Sequence, residues 1–258
     1  MKLYKMGGIN MRVINLKDKQ LASEHVATEI VKLIISKPNT VLGLATGGTM
    51  TELYQYLVEL INANNLDLND VVTFNLDEYV GLSPEDKQSY HEYMQQRLFK
   101  YNDSWNDNNI HIPSGVGPDL EVEAYNYEQK IEQCGPIDLQ LLGIGENGHI
   151  GFNEPGTSFN SRTRVVNLTP STIHANSVNF DNVDDVPVQA VSMGLSSIMG
   201  AKHIVLLAFG AKKIDAIKRL LQGDVATDLP ASILHQHPNV DIYVDDVIFN
   251  KLKEDNEV

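Results

Sequence analysis

Three times along this chain a short apolar run of the kind that makes a buried strand stops at a glycine-bearing or acidic segment. Val41-Leu42-Gly43-Leu44-Ala45 runs into Thr46-Gly47-Gly48-Thr49, and residues 50–62 then carry Leu53, Tyr54, Leu57, Leu60 and Ile61 at helical spacing. Val71-Val72-Thr73-Phe74-Asn75-Leu76 ends at Asp77-Glu78-Tyr79, ahead of a helical stretch at residues 90–99. After a helix expected over residues 121–133, the strand-like residues 137–144 deliver the glycine-rich segment 145–156. Residues 203–209 read as a further strand broken by Gly210, residues 212–221 as an amphipathic helix, and residues 240–244 as a late strand. Alternation of this kind predicts an α/β fold: a single Rossmann-like domain with a largely parallel sheet and helices on both faces. Right-handed crossovers then place every strand's carboxyl end on one edge, where ligands bind. No repeat, low-complexity tract or proline-rich linker divides the chain, so one domain is expected over residues 11–250, with residues 1–10 a possible N-terminal extension.

A chain of 258 residues with 42% hydrophobic content can bury a substantial core in one such domain. Its 20 basic against 34 acidic residues give a formal charge of −14, which disfavours nucleic acid and anionic membrane surfaces as partners. The single cysteine, Cys134, forms no intrachain disulfide. With no apolar run long enough for a signal peptide or a membrane span, a cytoplasmic location is expected.

Between a strand and a helix, Thr46, Gly47, Gly48 and Thr49 allow close approach of backbone amides to an anion. The same residues also suit a plain tight turn, and they lack the lysine of a Walker loop and the spacing of a dinucleotide fingerprint. Lys213, after the strand at residues 203–209, either adds a point charge at that edge or is an ordinary surface lysine. Asp77 stands where a strand's end meets the crevice, suited to a proton-transfer base or to a turn or helix cap. Since side chains alternate along an extended chain, only one of Asp77 and Glu78 faces the cavity, and the sequence leaves open which. The segment 145–156 gathers Asn147, His149 and Glu154 in one flexible loop. There the imidazole titrates near neutral pH and a carboxylate can set its tautomer; the competing account is a glycine-rich turn with a hydrogen-bonded histidine. No metal site is expected: His235 and His237 are interrupted by Pro238 and find no completing ligand, and the other histidines form no motif. Ser192, Ser196 and Cys134 lie in no nucleophile motif.

With those segments in order and at matching spacing, the chain from Met11 to about Val244 resembles the glucosamine-6-phosphate deaminase family, a sugar-phosphate isomerase-like group. Ser161-Arg162-Thr163-Arg164 and His174-Ala175-Asn176-Ser177 carry the likeness further. The resemblance implies an enzyme without metal or other cofactor that converts glucosamine 6-phosphate, an amino sugar phosphate, into fructose 6-phosphate and ammonia. It implies that Asp77 moves a proton between C2 and C1, that His149 transfers a proton in ring opening, and that Glu154 and Asn147 orient or assist it. Thr46, Gly47, Gly48, Thr49 and Lys213 match the phosphate positions, and residues 168–187 match a mobile lid. Two departures stand out. Val178 and Asn179 replace an expected lid arginine, and Val166 and Asn167 replace a more polar, basic pair at the activator positions. Little allosteric activation and a monomer or small homo-oligomer are therefore expected. The alternatives are a 6-phosphogluconolactonase-like hydrolase, which has no need of Asp77 as a carbon-proton base, and a non-catalytic sugar-phosphate sensor, for which no basic helix-turn-helix segment precedes the domain.

Overall fold

The computed structural model describes residues 3–5 and 11–255. In chain order its elements are β1 (Leu3–Lys5), β2 (Met11–Asn15), α1 (Lys19–Ser36), β3 (Val41–Leu44), α2 (Thr51–Ala63), β4 (Val72–Asn75), β5 (Asp77–Tyr79), α3 (Tyr90–Arg97), β6 (Ile110–His111) and α4 (Leu120–Cys134). There follow β7 (Leu139–Gly143), β8 (Arg164–Asn167), α5 (Pro170–Asn176), β9 (Gln189–Ser192), α6 (Leu195–Met199), β10 (Ile204–Ala208), α7 (Ile214–Leu221), β11 (Val240–Val244) and α8 (Asp246–Glu254).

Seven strands run parallel in the order β2-β11-β10-β7-β3-β4-β6, and β1 joins β2 antiparallel at one edge. Helices pack around this sheet, so β3, β10 and β11 are buried along their whole length, which is why their sequences are nearly continuous apolar runs. α1 adds to the elements expected from the sequence; Ala22, Val26, Ile30 and Ile34 bury one stripe of it, and Asp18 caps its first turn by accepting from Leu21 N at 2.8 Å. At the opposite end of the sheet from the crevice, Asp138 draws three strands together. Its carboxylate accepts from Lys202 Nζ at 2.7 Å, from Val41 N at 2.9 Å and from Lys37 Nζ.

The direction in which strands are added to the sheet reverses between β3 and β7. From β3 the chain builds outward through β4 and β6, then returns to β7 and builds the other way through β10 and β11. The loops that follow β3 and β7 therefore flank an open crevice at the topological switch point.

One expectation is corrected. Asp77-Glu78-Tyr79 is not the polar end of the strand that precedes it. Leu76 makes the last contacts with the parallel sheet, its N–H donating to Leu44 O at 3.0 Å, and its carbonyl then accepts from Met193 N at 2.7 Å. Beyond the end of β3 the ladder has no partner left on that side, so the chain exchanges it for β9. The result is a separate antiparallel sheet, β5-β9-β8, with Asp77 opposite Ser192. Tyr79, Phe152, Leu168 and Ala190 form a second small apolar cluster beneath residues 168–188, with Ile173 and Phe180 packed on it. Among the described residues no helix is long and apolar enough to cross a membrane.

Candidate active site

A cavity of about 460 Å³ opens at the switch point. Thr46, Gly47 and Thr49 form one wall, immediately before α2. Gly47 adopts φ +94°, a left-handed conformation that turns the chain from β3 into the helix at no steric cost. Its carbonyl is held by Tyr93 Oη at 2.9 Å, and Lys19 Nζ holds the Gly48 carbonyl at 2.9 Å. Gly48 itself is not among the lining residues, so within the predicted anion loop the contact surface is Thr46, Gly47 and Thr49. Lys213, in the short turn before α7, is the one lysine or arginine among the lining residues, and burial lowers its ammonium pKa.

Asp77 forms the facing wall. It is buried, and among the described residues no donor reaches its carboxylate. Burial, reinforced by the nearby Glu78, pushes its pKa up to about 8. Glu78 faces away from the cavity and is fully engaged at the start of α3. There it accepts from Tyr90 N and His91 N, both at 3.0 Å, and pairs with His91 Nδ1 at 2.8 Å.

The loop after β7 supplies the third wall through Asn147 and His149. His149 folds back over Gly145 so closely that a Cβ on residue 145 would lie 2.3 Å from the imidazole Cε1, which is why glycine stands there. Asn147 fixes the loop from both ends of its amide. Oδ1 accepts from His149 N at 3.2 Å, and Nδ2 donates to Glu154 Oε2 at 2.7 Å. That same Oε2 stands 3.4 Å from His149 Nδ1, an electrostatic approach without hydrogen-bond alignment. Burial opposes ionisation of Glu154, but His149, Thr172 and Asn147 outweigh it and hold the carboxyl at about 2. Glu154 does not line the cavity; it stands behind His149 and acts on the cavity only through its neighbours.

Several residues beyond those named from the sequence build this site. Phe152 N donates to Ser192 Oγ at 3.0 Å, which docks the histidine loop on β9 directly opposite Asp77. The buried Asn153 donates to Met193 O at 2.8 Å and accepts from Arg164 at 3.0 Å, a second anchor to the small sheet. An added Cβ on Gly151 would sit 3.7 Å from Asp77 Oδ2, so the base wall and the histidine loop are in contact range. Tyr90 on α3 and Ser171, Thr172, Ala175 and Asn176 on α5 complete the lining. Val178, at the place of the expected lid arginine, is 84% exposed and outside the lining. His235 and His237 lie apart from the cavity, with His237 held by the Ala201 and Asn239 carbonyls. Among the described residues no group of three or more histidines, cysteines and carboxylates is placed to hold a metal ion.

Fold and family together define an α/β enzyme of doubly wound type, in which Asp77 and His149 face Thr46, Gly47 and Thr49 across the switch point. The chain belongs to the glucosamine-6-phosphate isomerase/6-phosphogluconolactonase family, whose model matches residues 18–243. It is 66% identical over 242 residues to a glucosamine-6-phosphate deaminase of Staphylococcus haemolyticus, covering 94% of this chain and all of that one. A glucosamine-6-phosphate deaminase of Staphylococcus epidermidis is 60% identical over 236 residues, covering 92% and 97%. Among solved structures, a monomeric glucosamine-6-phosphate deaminase superposes with a TM-score of 0.90 at 44% identity, covering 92% of this chain and 98% of that one. A 6-phosphogluconolactonase from Thermotoga maritima, at 21% identity and a TM-score of 0.73 over 92% of this chain and 100% of that one, shares the fold.

Proposed function

We propose that this chain converts glucosamine 6-phosphate into fructose 6-phosphate and ammonia. The observation that carries this reading is Asp77: a buried carboxylate without a donor, facing the cavity across from the His149 loop, with a pKa raised to about 8. A buried carboxylate of that basicity is suited to removing a proton from carbon next to a carbonyl. Lactone hydrolysis has no carbon-bound proton to remove, so this geometry favours the isomerising deaminase. The 56–66% identity to curated deaminases supports the same choice.

In this mechanism the phosphate end seats against Thr46, Gly47 and Thr49, with Lys213 supplying the charge. Anchoring there spends remote binding energy on placing C1 and C2 beside Asp77. His149, oriented by Asn147 and backed by Glu154, carries the proton from the C1 hydroxyl to the ring oxygen as the pyranose opens. Asp77 then takes the C2 proton from the open-chain aldehyde and returns it to C1, which leaves an imine at C2. Water adds to that carbon, the C–N bond breaks, and ammonia departs as the ketone of fructose 6-phosphate forms. The substrate class requires neither redox cofactor nor nucleotide for these steps. Val166 and Asn167, set on β8 away from the cavity, give an activator phosphate no cation, and the monomeric relative supports a monomer here.

Incubating purified protein with glucosamine 6-phosphate and measuring ammonia and fructose 6-phosphate tests the proposal. Equimolar products from the wild type and none from Asp77→Asn are expected. Absence of product at high enzyme concentration, with 6-phosphogluconolactone hydrolysed instead, overturns it.

A further inference from the structure

The segment over the cavity and the acid–base loop beneath it meet in one carboxylate. Glu154 offers Oε2 to Asn147 and His149, as described above, and turns Oε1 to α5. There Thr172 Oγ1 donates to Oε1, and Thr169 Oγ1 approaches the same oxygen at 3.1 Å. Thr169 is also the cap of α5, accepting from Thr172 N at 3.3 Å, and the two hydroxyls are 3.1 Å apart. The hydroxyls that hold Glu154 are therefore part of the helix's own first turn. They cannot let go of the carboxylate without shifting α5, and α5 contributes Ser171, Thr172, Ala175 and Asn176 to the cavity wall.

We propose that Thr172, assisted by Thr169, is a positioning residue that latches the segment over the cavity to Glu154, so that seating of α5 and orientation of His149 are a single event. The inference rests on the acid–base reading of the His149 loop given above. It follows from how few contacts fasten this segment. Away from Glu154, α5 and the turn after it rest on the small apolar cluster, where the Asn176 side chain hydrogen-bonds the Tyr79 hydroxyl and the Phe180 ring meets Tyr79 edge-on at 5.8 Å, while Val178 and Val183 project outward, 84% and 52% exposed. Thr172 is buried and its hydroxyl is spent on Glu154. Without that hydroxyl, Oε1 keeps only Thr169, whose one proton is shared among Glu154, Ser171 and Thr172. The carboxylate is then free to rotate away from Asn147 and His149, and the imidazole loses its alignment.

The chemistry of the neighbours limits what else can move the imidazole. Around His149 the other titratable lining groups are Asp77 on β5, Glu146 in its own loop, Tyr90 on α3 and Lys213 before α7, with Lys212 paired to Glu146 at 3.7 Å. From α5 come only hydroxyls, the Asn176 amide and the exposed His174, which lies outside the lining. None of these changes on replacing Thr172, so a loss of kcat that serine restores reports on the hydroxyl that holds Glu154.

The test compares wild type, Thr172→Val, Thr172→Ser and Asp77→Asn in steady-state kinetics with glucosamine 6-phosphate over pH 5–9, together with proteolysis rates within residues 177–188. For Thr172→Val, an isostere without the hydroxyl, a kcat loss of about tenfold or more is expected. With it come a KM change of less than about threefold and faster cleavage of the segment, while the acid limb, set by Asp77, stays in place. Thr172→Ser restores kcat and the cleavage rate. Wild-type kcat in Thr172→Val overturns the latch, and so does a loss of activity carried by KM or without rescue by serine, since each marks a purely structural role. Failure of the underlying reading is distinct: there the wild type itself makes no product, or Asp77→Asn retains full activity.

Discussion

Asp77 and Glu78 are neighbours in the chain and face opposite ways across β5, the first unpaired in the cavity and the second consumed in holding the N-terminus of α3. The helix start holds one of two adjacent carboxylates, which leaves the other to face the cavity from β5.

Replacement of Asp77 by Asn is expected to lower kcat by a factor of about 10² or more. It also has a signature in stability. Because the folded pKa of about 8 lies above the ordinary carboxylate value of 3.8, the folded protein holds this proton where the unfolded chain has lost it. Stability therefore falls as pH rises from about 4 to about 8 and levels off beyond. The Asn variant lacks this decline, so in urea denaturation its advantage over the wild type grows from pH 4 to pH 9, reaching about 2–5 kcal/mol. Parallel curves at both pH values would contradict the raised pKa.

A methyl group on residue 145 meets the imidazole of His149 at 2.3 Å. Gly145→Ala is expected to displace the ring and lower kcat by about 10- to 100-fold, with a drop in melting temperature only as far as the anchored loop is strained. Circular dichroism melts alongside the kinetics separate a displaced ring from a damaged fold.

Lys213 brings the cavity its charge. For Lys213→Ala a fall in kcat/KM of about 10- to 100-fold is expected, with a parallel loss of competitive inhibition by inorganic phosphate. Lys19, behind the loop on the Gly48 carbonyl, is expected to give a much smaller effect on phosphate inhibition. Reversal of that order would relocate the anion site.

Asn147→Asp places a second carboxylate against Glu154 Oε2, now 2.7 Å from an amide donor. Two carboxylates in contact repel, so the substitution is expected to loosen Glu154 from the loop and lower kcat about 3- to 10-fold. Unchanged kcat would show that the Asn147–Glu154 contact does not serve the reaction.

Far from the cavity, Asp138 is held at about 2: burial opposes its ionisation, but Lys202, Lys37 and Val41 N–H prevail. Its contribution to stability is present above the ordinary carboxylate value of 3.8 and is lost as pH falls toward about 2. Asp138→Ala is expected to cost about 3 kcal/mol in chemical denaturation while leaving kcat unchanged.

Much of the site is visible in one dimension because its parts are local. Thr46 to Thr49, Asp77, and Asn147, His149 and Glu154 each follow directly on a buried strand, and a parallel sheet carries all strand ends to one edge, whatever lies between them in sequence. The latch and the anchors are different in kind. Thr172 and Thr169 look like ordinary helix-start residues, and Arg164, Ser192 and Asn153 carry no spacing signal, because their partners are set by the antiparallel sheet β5-β9-β8.

From its apolar runs and the glycines and acids that end them, the chain by itself determined an α/β domain with its reactive residues on one crevice, since strand burial and loop position are encoded by neighbouring residues. Tertiary structure alone decided that Asp77 and not Glu78 faces the cavity, that Glu154 stands behind His149, and that α5 closes over both. Alternation along a strand says that two adjacent side chains diverge, but the direction of each is chosen by what packs against them, here the N-terminus of α3 and a partner strand more than a hundred residues away.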